Sequence, residues 1–571
     1  MELMSAELLL YFLFVHVSLL IPGYVFIHRL KKFNKNSGLE LCLAYASSLV
    51  FFALLAALTY VLKINPAIPR TLLWLVLLST LFLFVKNKLY KNFYALRFPF
   101  ISFFVMSLFS LAFVGLSFNA PRTYVPDPEP IAGQHYSAFN VKVLNVAQTQ
   151  ANDNYIPYRQ AQFFTNRSDP AKDSFISEWG VNFFVRTPLM GAVTASYFNL
   201  LGDKPPIGYT WAGDSSDPAH TYVKFQVLAQ ILNALLIVPA YFILARLFNQ
   251  KVAVISSIFI ITSQFFLYNS FFSWPKSLVA FFILTSWLLL LEGRRSYTFL
   301  AGVLSGVAYL THDLAVLYIG ASFIYLVLNK RFRELIIFSL PAFILALPWL
   351  ITASVLYHKP SSFIYYPIST GGIPQLSQKH QLVHQFLHTS PLKLLKIRLE
   401  NIFYLLSPFQ LLTSEGGQAA AKRLWTLGLY SVPGAVGFGL IIPMYFGLVQ
   451  KIRSALPWVF IFVPIVLGAL IIGWPKGLGA LHFAEALVVL AIGFSVAYLT
   501  KLKRRFWLLA AYGLNAAQLI FFIDYSYKYA IGAWFSHPAD FLRLVFMAIV
   551  VIGGGWWLYQ LAASKKLLPI Q

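Results

Sequence analysis

The feature that most constrains this chain is an apolar run of about 20 residues, the length that an α-helix needs to cross the hydrocarbon core of a bilayer. Such runs recur from Leu8 to Leu561. Hydrophobic residues make up 58% of the 571 and charged residues only 11%, an apolar share that a soluble domain cannot bury while remaining dissolved. The sequence predicts an all-α polytopic membrane protein with about 14 to 15 transmembrane helices.

The net charge of +24 comes from basic clusters in the turns between the apolar runs. A nucleic-acid binder gathers basic residues on one face or arm, whereas these clusters lie in every second turn, so we expect no nucleic-acid partner. Because Lys and Arg near short loops mark the cytoplasmic side, the alternation places the N-terminus outside, the C-terminus in the cytoplasm, and loops 119–221 and 357–424 outside. The clusters are residues 28–35, 86–97, 246–251, 293–295, 329–333, 450–453, 501–505 and 564–566.

The first apolar run is preceded by Glu2 and Glu7 rather than by a basic segment, and no small-residue cleavage site follows it. We therefore expect a retained helix and not a removed signal peptide. The single cysteine, Cys42, lies inside an apolar run, which excludes an intramolecular disulfide. We expect a multi-pass protein of a prokaryotic cytoplasmic membrane.

Residues 151–164, ANDNYIPYRQAQFF, bring together Asp153, Tyr155, Tyr158 and Arg159 in a chain where charge is scarce. PYRQAQFF predicts a short helix, because a proline suits the first helical turn. Residues 183–202 are apolar after Arg186, yet counting them as a span would invert every later basic cluster. We therefore expect a helix in the external membrane interface there. Residues 151–164 are consistent either with a solvated loop or with a catalytic one.

This pattern resembles the first external loop of GT-C glycosyltransferases, a superfamily that includes the protein O-mannosyltransferases and the lipid A aminoarabinose transferases. The similarity is an acid with an aromatic residue two positions later, an Ala-bearing amphipathic stretch, and an interfacial Arg-x-Pro-Leu helix ending in Leu-Gly. The Ala-Gly-x-x-x-Gly-x-Ala pattern at residues 301–308 is also similar. The matching loop residues are Asp153, Tyr155, Arg159, Ala161, Arg186, Thr187, Pro188, Leu189, Leu201 and Gly202.

The resemblance implies a GT-C-like core at residues 98–356, with extra transmembrane helices at 1–97, interfacial helices in the loop 357–424, and transmembrane helices at 425–571. Three departures stand out. The family's first acid usually follows the first span, whereas here three extra helices, at residues 8–85, come first. Lys276 stands where many members carry a second acid, and no soluble external domain follows the spans.

Ionisable side chains recur at the predicted external helix ends, where they are costly and therefore functional candidates. Lys276 and Lys476 each follow Trp-Pro, which suits a phosphate-binding cation and equally an interfacial Trp anchor with a snorkelling lysine. The sequence THDL places two ionisable groups near the membrane edge, either lining a cavity or pairing with each other. The remaining candidates are His312 and Asp313 of THDL, and His482 and Glu485.

The histidines at 380, 384 and 388 form one helical stripe. A pair at i, i+4 can hold zinc, but no acid or cysteine lies within the segment, so an amphipathic interfacial helix fits better. We assign no metal ligand, although a divalent metal remains open. The sequon at Asn166 lies in the predicted external loop.

A lipid-linked sugar phosphate requires a base for the acceptor hydroxyl, cations for the departing phosphate, and side chains that hold the sugar. The expected partners are a polyprenyl-phosphate sugar donor as co-substrate, a glycan, lipid or protein acceptor, and membrane lipids. We predict Asp153 as general base, Arg159, Arg186, Lys276 and Lys476 for the phosphate, and Tyr155 and Tyr158 for the sugar. A transporter or flippase and a non-catalytic membrane scaffold are the alternative functions.

Overall fold

The computed structural model describes residues 6–30, 37–114, 155–170, 186–207, 217–271, 273–356, 366–370, 379–407, 431–450, 455–473, 484–502, 504–526 and 538–563. Regular structure in these residues is helical throughout. The first ten helices are α1 (Ala6–Arg29), α2 (Ser37–Val61), α3 (Ala67–Lys86), α4 (Phe93–Val114), α5 (Ile156–Asn166), α6 (Leu189–Leu201), α7 (Thr221–Ala234), α8 (Ile237–Leu247), α9 (Gln250–Ile261) and α10 (Gln264–Phe271).

The chain continues through twelve further α-helices within the same described ranges. They are α11 (Lys276–Leu291), α12 (Arg295–Thr311), α13 (Val316–Leu328), α14 (Phe332–Ile351), α15 (Lys379–His388), α16 (Pro391–Leu406), α17 (Val432–Val436), α18 (Ile441–Gln450), α19 (Ala455–Ile471), α20 (Glu485–Lys501), α21 (Arg505–Ser526) and α22 (Pro538–Ala563).

The long apolar runs in the sequence correspond to the long helices of this fold. Among the described residues, eight segments are helical, long and apolar enough to cross a membrane, and the α9–α10 pair, bent by 62°, would be a ninth. Five shorter apolar helices of 10–17 residues accompany them. The predicted class, an all-α polytopic membrane protein, is confirmed.

The spans differ in how much protein surrounds them. In the span formed by α7 and α8, 94% of the apolar window is buried, against 11% in α3 and in α22. The α7–α8 span therefore lies at the centre of the bundle and the other two lie at its edge. A buried helix must be apolar all round, whereas an edge helix in a bilayer is apolar because lipid faces it.

Helices α12 and α14 approach each other closely at Gly302 and Gly306, the two glycines of the Ala-Gly-x-x-x-Gly-x-Ala pattern. A Cβ atom on Gly302 would lie 2.1 Å from the carbonyl oxygen of Phe338, and one on Gly306 would lie 3.0 Å from that of Ala342. Such close backbone contact is typical of membrane helices, where packing and not hydrophobicity drives association. It fixes the end of α12, which carries His312 and Asp313.

The two loop helices predicted from residues 151–202 are present as α5 and α6. With 13 residues, α6 falls among the shorter apolar helices and outside the eight spans, in agreement with its exclusion from the predicted spans. Twelve of its residues are buried, so protein and not lipid surrounds this helix. A Cβ on Gly191 of α6 would lie 2.4 Å from Cβ of Gln160, which shows how closely α5 packs on α6.

Candidate functional site

Three of the predicted site residues lie against one indole ring that the sequence offered only as a membrane anchor, and Asp313 and Glu485 interact with two of these three. The Arg186 guanidinium lies 4.7 Å from the Trp274 ring centroid, and the Lys276 ammonium lies 4.2 Å from it. The His312 ring centroid is 5.6 Å from the same ring. We call Arg186, Trp274, Lys276, His312, Asp313 and Glu485 the Trp274 cluster; every member is buried.

Four separate parts of the fold supply the cluster. Arg186 immediately precedes the Thr187-Pro188 start of α6, while Trp274 and Pro275 precede α11, whose first residue is Lys276. His312 ends α12, and Glu485 begins α20. Each side chain is therefore held at a helix terminus, where the backbone direction changes and a polar group can face inward without interrupting a helix.

Two buried cations on one ring require compensation, because isolated charges are costly to bury. The indole face contributes a cation–π attraction to each. Asp313 and Glu485 contribute two carboxylates, and Lys276 lies within electrostatic range of Glu485. The cluster therefore holds two basic and two acidic side chains, together with His312, in a nearly dry setting.

His312 and Asp313 form a buried pair. Nδ1 of His312 lies 2.9 Å from Oδ1 of Asp313 and 3.2 Å from the backbone nitrogen of Leu314. Because the carboxylate contact is the shorter, we place the proton on Nδ1, from which it is donated to Asp313. Burial, aided by Arg186 and Lys276, lowers the pKa of His312 from its ordinary 6.5, more than Asp313 raises it, so the ring is neutral at pH 7.

Several buried polar atoms in and beside the cluster make no hydrogen bond within the part of the chain that the structure describes. They are Nε2 of His312, Oε1 of Glu485 and the hydroxyl oxygens of Thr187, Ser273 and Ser277. Buried polar atoms are nearly always paired, so this concentration of exceptions is informative. It indicates a place where polar groups are provided for something other than the fold.

Helix α5 carries the other predicted residues that the structure describes. The Tyr158 side chain is fully buried, and its hydroxyl lies 2.7 Å from Oγ1 of Thr221. Tyr155 stacks on Tyr222, with 5.8 Å between ring centroids. These contacts join α5 to α7, so both tyrosines help to hold the two helices together.

Arg159 lies along its own helix. Its Nη1 donates to Oε1 of Gln162 at 2.6 Å, and its guanidinium lies 4.9 Å from the Phe163 ring centroid. The link from α5 to the Trp274 cluster is Gln160, whose Nε2 donates to the carbonyl oxygen of Arg186 at 2.8 Å. Asp153, Lys476 and His482 lie outside the described residues.

Two residues that sequence reasoning passed over also belong to this region. Trp274 serves as the common surface for both cations, and its Trp-Pro-Lys context was a weak signal for that role. Asp217 is buried, and its Oδ2 accepts from Oγ1 of Thr221 at 2.9 Å and from the backbone nitrogen of Tyr222 at 3.0 Å. An acid just ahead of an apolar run is the sequence signal for a helix cap.

Within the described residues, no group of three or more His, Cys, Asp or Glu side chains is arranged to hold a metal ion. The predicted histidine stripe forms part of α15, where the rings of His384 and His388 stack at 4.0 Å. Nδ1 of His388 lies 2.8 Å from the carbonyl oxygen of His384, so that nitrogen bonds to the helix backbone.

Comparison with solved structures finds two crystal structures of ArnT from Cupriavidus metallidurans. The apo state is 13% identical over 60% of this chain and 73% of that chain, with a TM-score of 0.27. The state bound to undecaprenyl phosphate is 13% identical over 70% and 78%, with a TM-score of 0.31. TM-scores this low describe a loose alignment. No curated protein sequence matches this chain.

Residues 220–358 match the model of the family described as dolichyl-phosphate-mannose-protein mannosyltransferase. The matched segment contains Trp274, Lys276, His312 and Asp313, four of the six residues of the Trp274 cluster, and the helices α7 to α14. Over these residues the match supports the resemblance to GT-C membrane glycosyltransferases that the sequence predicted.

Proposed function

We propose that this protein transfers a sugar from a polyprenyl-phosphate-linked donor to an acceptor hydroxyl on the external face of the membrane. The observation that carries the proposal is the Trp274 cluster, where Arg186 and Lys276 lie on one buried indole ring. The matched family is named for a dolichyl-phosphate mannose donor, which supports a lipid phosphate as the leaving group.

In the proposed reaction, the acceptor hydroxyl oxygen forms a bond to the anomeric carbon of the sugar. The bond between that carbon and the phosphate oxygen breaks, and its electron pair leaves with the polyprenyl phosphate. Asp153 takes the proton of the hydroxyl as general base. The phosphate changes from a diester to a monoester and gains negative charge as the bond breaks.

Arg186 and Lys276 are suited to that change in charge. Preorganised cations in a dry site stabilise charge that develops in the transition state better than they would in water. Before the donor binds, the acidic side chains of Asp313 and Glu485 are the groups in the cluster that can offset their charge. Arg186 is the better phosphate ligand of the two, because its planar fork can donate two parallel hydrogen bonds.

The remaining predicted residues take supporting roles in this proposal. Arg159 and Lys476 are further phosphate candidates, His482 lies in the sequence just ahead of Glu485, and Tyr155 and Tyr158 border the sugar. A divalent metal at the donor stays open. The hydroxyl of Tyr158 already bonds to Thr221, so its contribution to the sugar would come from position and not from a free hydroxyl.

Transfer itself is tested with membranes that contain the protein and a labelled polyprenyl-phosphate sugar. We expect label to reach an acceptor with wild-type protein and not with Asp153→Asn. A variant that transfers at the wild-type rate would shift the base to Asp127, Asp173 or Glu178. If none of these four acids matters, a membrane scaffold replaces the enzyme as the proposed function.

The face of the membrane is tested separately by labelling. Single cysteines at Ser168 and Lys503, in a Cys42-free chain, should react with an impermeant thiol reagent from opposite sides. Reaction of both from the same side would overturn the proposed orientation.

A further inference from the structure

We infer that the three N-terminal helices form a brace that sets the position of α6 and, through it, the position of the Arg186 guanidinium on Trp274. The inference rests on the proposed function for the role of Arg186. Its structural part stands on contacts among described residues alone, from α1, α2 and α3 to α5 and α6.

The brace holds the end of α6 that lies farthest from Arg186. The last carbonyl groups of a helix lack partners within it, and here two side chains of α3 supply them. Nε of Arg70 donates to the carbonyl oxygen of Asn199 at 3.0 Å, and Nε1 of Trp74 donates to that of Leu200 at 3.0 Å. A cation at a helix C-terminus also interacts favourably with the helix dipole.

Gly202 makes this contact possible. Its φ of 80° is left-handed, as is common just after a helix. A Cβ atom there would lie 2.9 Å from Cζ of Arg70, so any other residue would displace the guanidinium. The glycine that ends α6 is thus also the surface on which Arg70 rests.

The other two N-terminal helices hold the middle of α6. Oγ of Ser196 donates to the carbonyl oxygen of Phe52 in α2 at 2.6 Å. The hydroxyl of Tyr197 lies 2.7 Å from Oγ of Ser18 in α1. All three helices therefore contact α6 by side-chain hydrogen bonds in addition to packing.

The same unit also holds the end of α5. The hydroxyl of Tyr60 donates to the carbonyl oxygen of Ser168 at 3.1 Å, and Nη1 of Arg167 donates to those of Lys63 and Ile64 at 3.3 and 3.2 Å. Helix α5 in turn holds the Arg186 carbonyl through Gln160. Both routes from the N-terminal helices end at Arg186.

The mechanical consequence follows from the stiffness of a helix. The 13 residues of α6 form a rod of about 20 Å, with Arg70 and Trp74 at one end and Arg186 at the other. Displacement of a positioning group by about 1 Å can cost up to about a hundredfold in rate, because reacting groups must be held in register. Arg70 and Trp74 are therefore positioning residues.

The test combines Arg70→Met with Trp74→Phe, which removes both side-chain donors and keeps an aromatic ring at position 74 and most of the side-chain volume. Spin labels at Leu201, the exposed end of α6, and at Val355, exposed beyond α14, report the position of α6 in a Cys42-free chain. We expect the distance distribution to shift or broaden in the double variant. The control is Tyr512→Phe, which removes a side-chain bond to the Val551 carbonyl between α21 and α22 and should leave the distance unchanged.

Binding of undecaprenyl phosphate then tests whether the brace acts through Arg186. We expect affinity to fall about tenfold in the double variant, and we expect no further fall when Arg186→Lys is already present, because coupled residues are not additive. An unchanged distance distribution would overturn the brace, as would a full additional loss in the Arg186→Lys background or a changed distance with unchanged affinity. Unchanged affinity in Arg186→Lys alone would instead refute the proposed phosphate site, while the distances would still decide the brace.

Discussion

Two groups of buried polar side chains differ in how completely their hydrogen bonds are made. The first, which we call the amide group, consists of Gln264, Asn515 and Gln518, at the break between α9 and α10. Gln518 Nε2 donates to Oε1 of Gln264 and to the carbonyl oxygen of Gly434, both at 3.0 Å, and its Oε1 accepts from the Phe438 nitrogen at 2.9 Å.

Asn515 completes the amide group in the same way. Its Oδ1 accepts from the Gly439 nitrogen at 2.8 Å, and its Nδ2 donates to the carbonyl oxygen of Val436 at 3.2 Å. The amides thus satisfy the backbone of residues 434–439, where the helix α17 is short. A bent helix pair is a feature of many transporters; here Gln518 joins the Gln264 side chain, at the start of α10, to the carbonyl oxygen of Gly434.

The Trp274 cluster shows the opposite state. Within the described residues, Nε2 of His312 and Oε1 of Glu485 make no hydrogen bond although both are buried. An unmade hydrogen bond on a buried group costs about 1–3 kcal/mol. The comparison therefore suggests different roles: the amide group satisfies the backbone around it, while the charged cluster keeps polar atoms that a ligand could use, as the proposed function requires.

The largest expected effect concerns Asp153, the proposed general base. Asp153→Asn should lower the transfer rate by about two to four orders of magnitude, the usual contribution of a general base. Binding of undecaprenyl phosphate should not change, because the phosphate ligands remain. Labelled-sugar transfer and lipid binding are measured on the same preparation, so that a loss of catalysis can be distinguished from a loss of binding. Loss of both together would mean that Asp153 acts in binding.

The amide group predicts a loss of stability without a loss of binding. Asn515→Leu leaves the Gly439 nitrogen and the Val436 oxygen without their partner, which should lower the free energy of unfolding by about 1–3 kcal/mol for each buried group left unpaired. Thermal unfolding in detergent measures it. Asn329→Leu is the matched control, since Asn329 makes one half-buried bond within its own helix. Weakened undecaprenyl phosphate binding in Asn515→Leu would contradict the assignment of the amide group to stability alone.

The charged cluster predicts a loss of binding without a comparable loss of stability. Arg186→Lys keeps the charge on Trp274 but loses the planar fork, and we expect about tenfold weaker binding of undecaprenyl phosphate, equivalent to about 1.4 kcal/mol. Arg159→Lys tests the second candidate in the same assay. Unchanged affinity in both variants would move the phosphate site to Lys276 and Lys476.

The smallest expected effect is a pH dependence from His312. Because its pKa is lowered in the folded protein below the ordinary 6.5, the unfolded chain binds more protons as the pH falls past that value. The free energy of unfolding should therefore decrease on acidification, by at most about 1.4 kcal/mol per pH unit from this group. His312→Gln should reduce the slope between pH 7 and pH 5. An equal slope in both proteins would show that His312 does not titrate in this way.

Sequence reasoning succeeded where a signal is local. The short helix α5 begins near Pro157, and the apolar stretch after Arg186 forms a helix too short to join the eight spans. We expected α6 to lie against the membrane surface, whereas α2, α3 and α5 enclose it. The sequence could not show this, because apolar composition is the same for a lipid-facing and a protein-facing helix.

What the sequence alone determined is the membrane class and the main helical spans, and it also predicted the resemblance to GT-C glycosyltransferases and a set of candidate residues, because run length, charge alternation and capping are properties of neighbouring residues. What only the tertiary structure decided is their association: residues between 186 and 485 gather at and beside Trp274, and side chains of the three N-terminal helices bond to the middle and the far end of α6. No local pattern encodes which helix termini come together. That choice depends on the packing of whole helices, to which hundreds of separate contacts contribute at once.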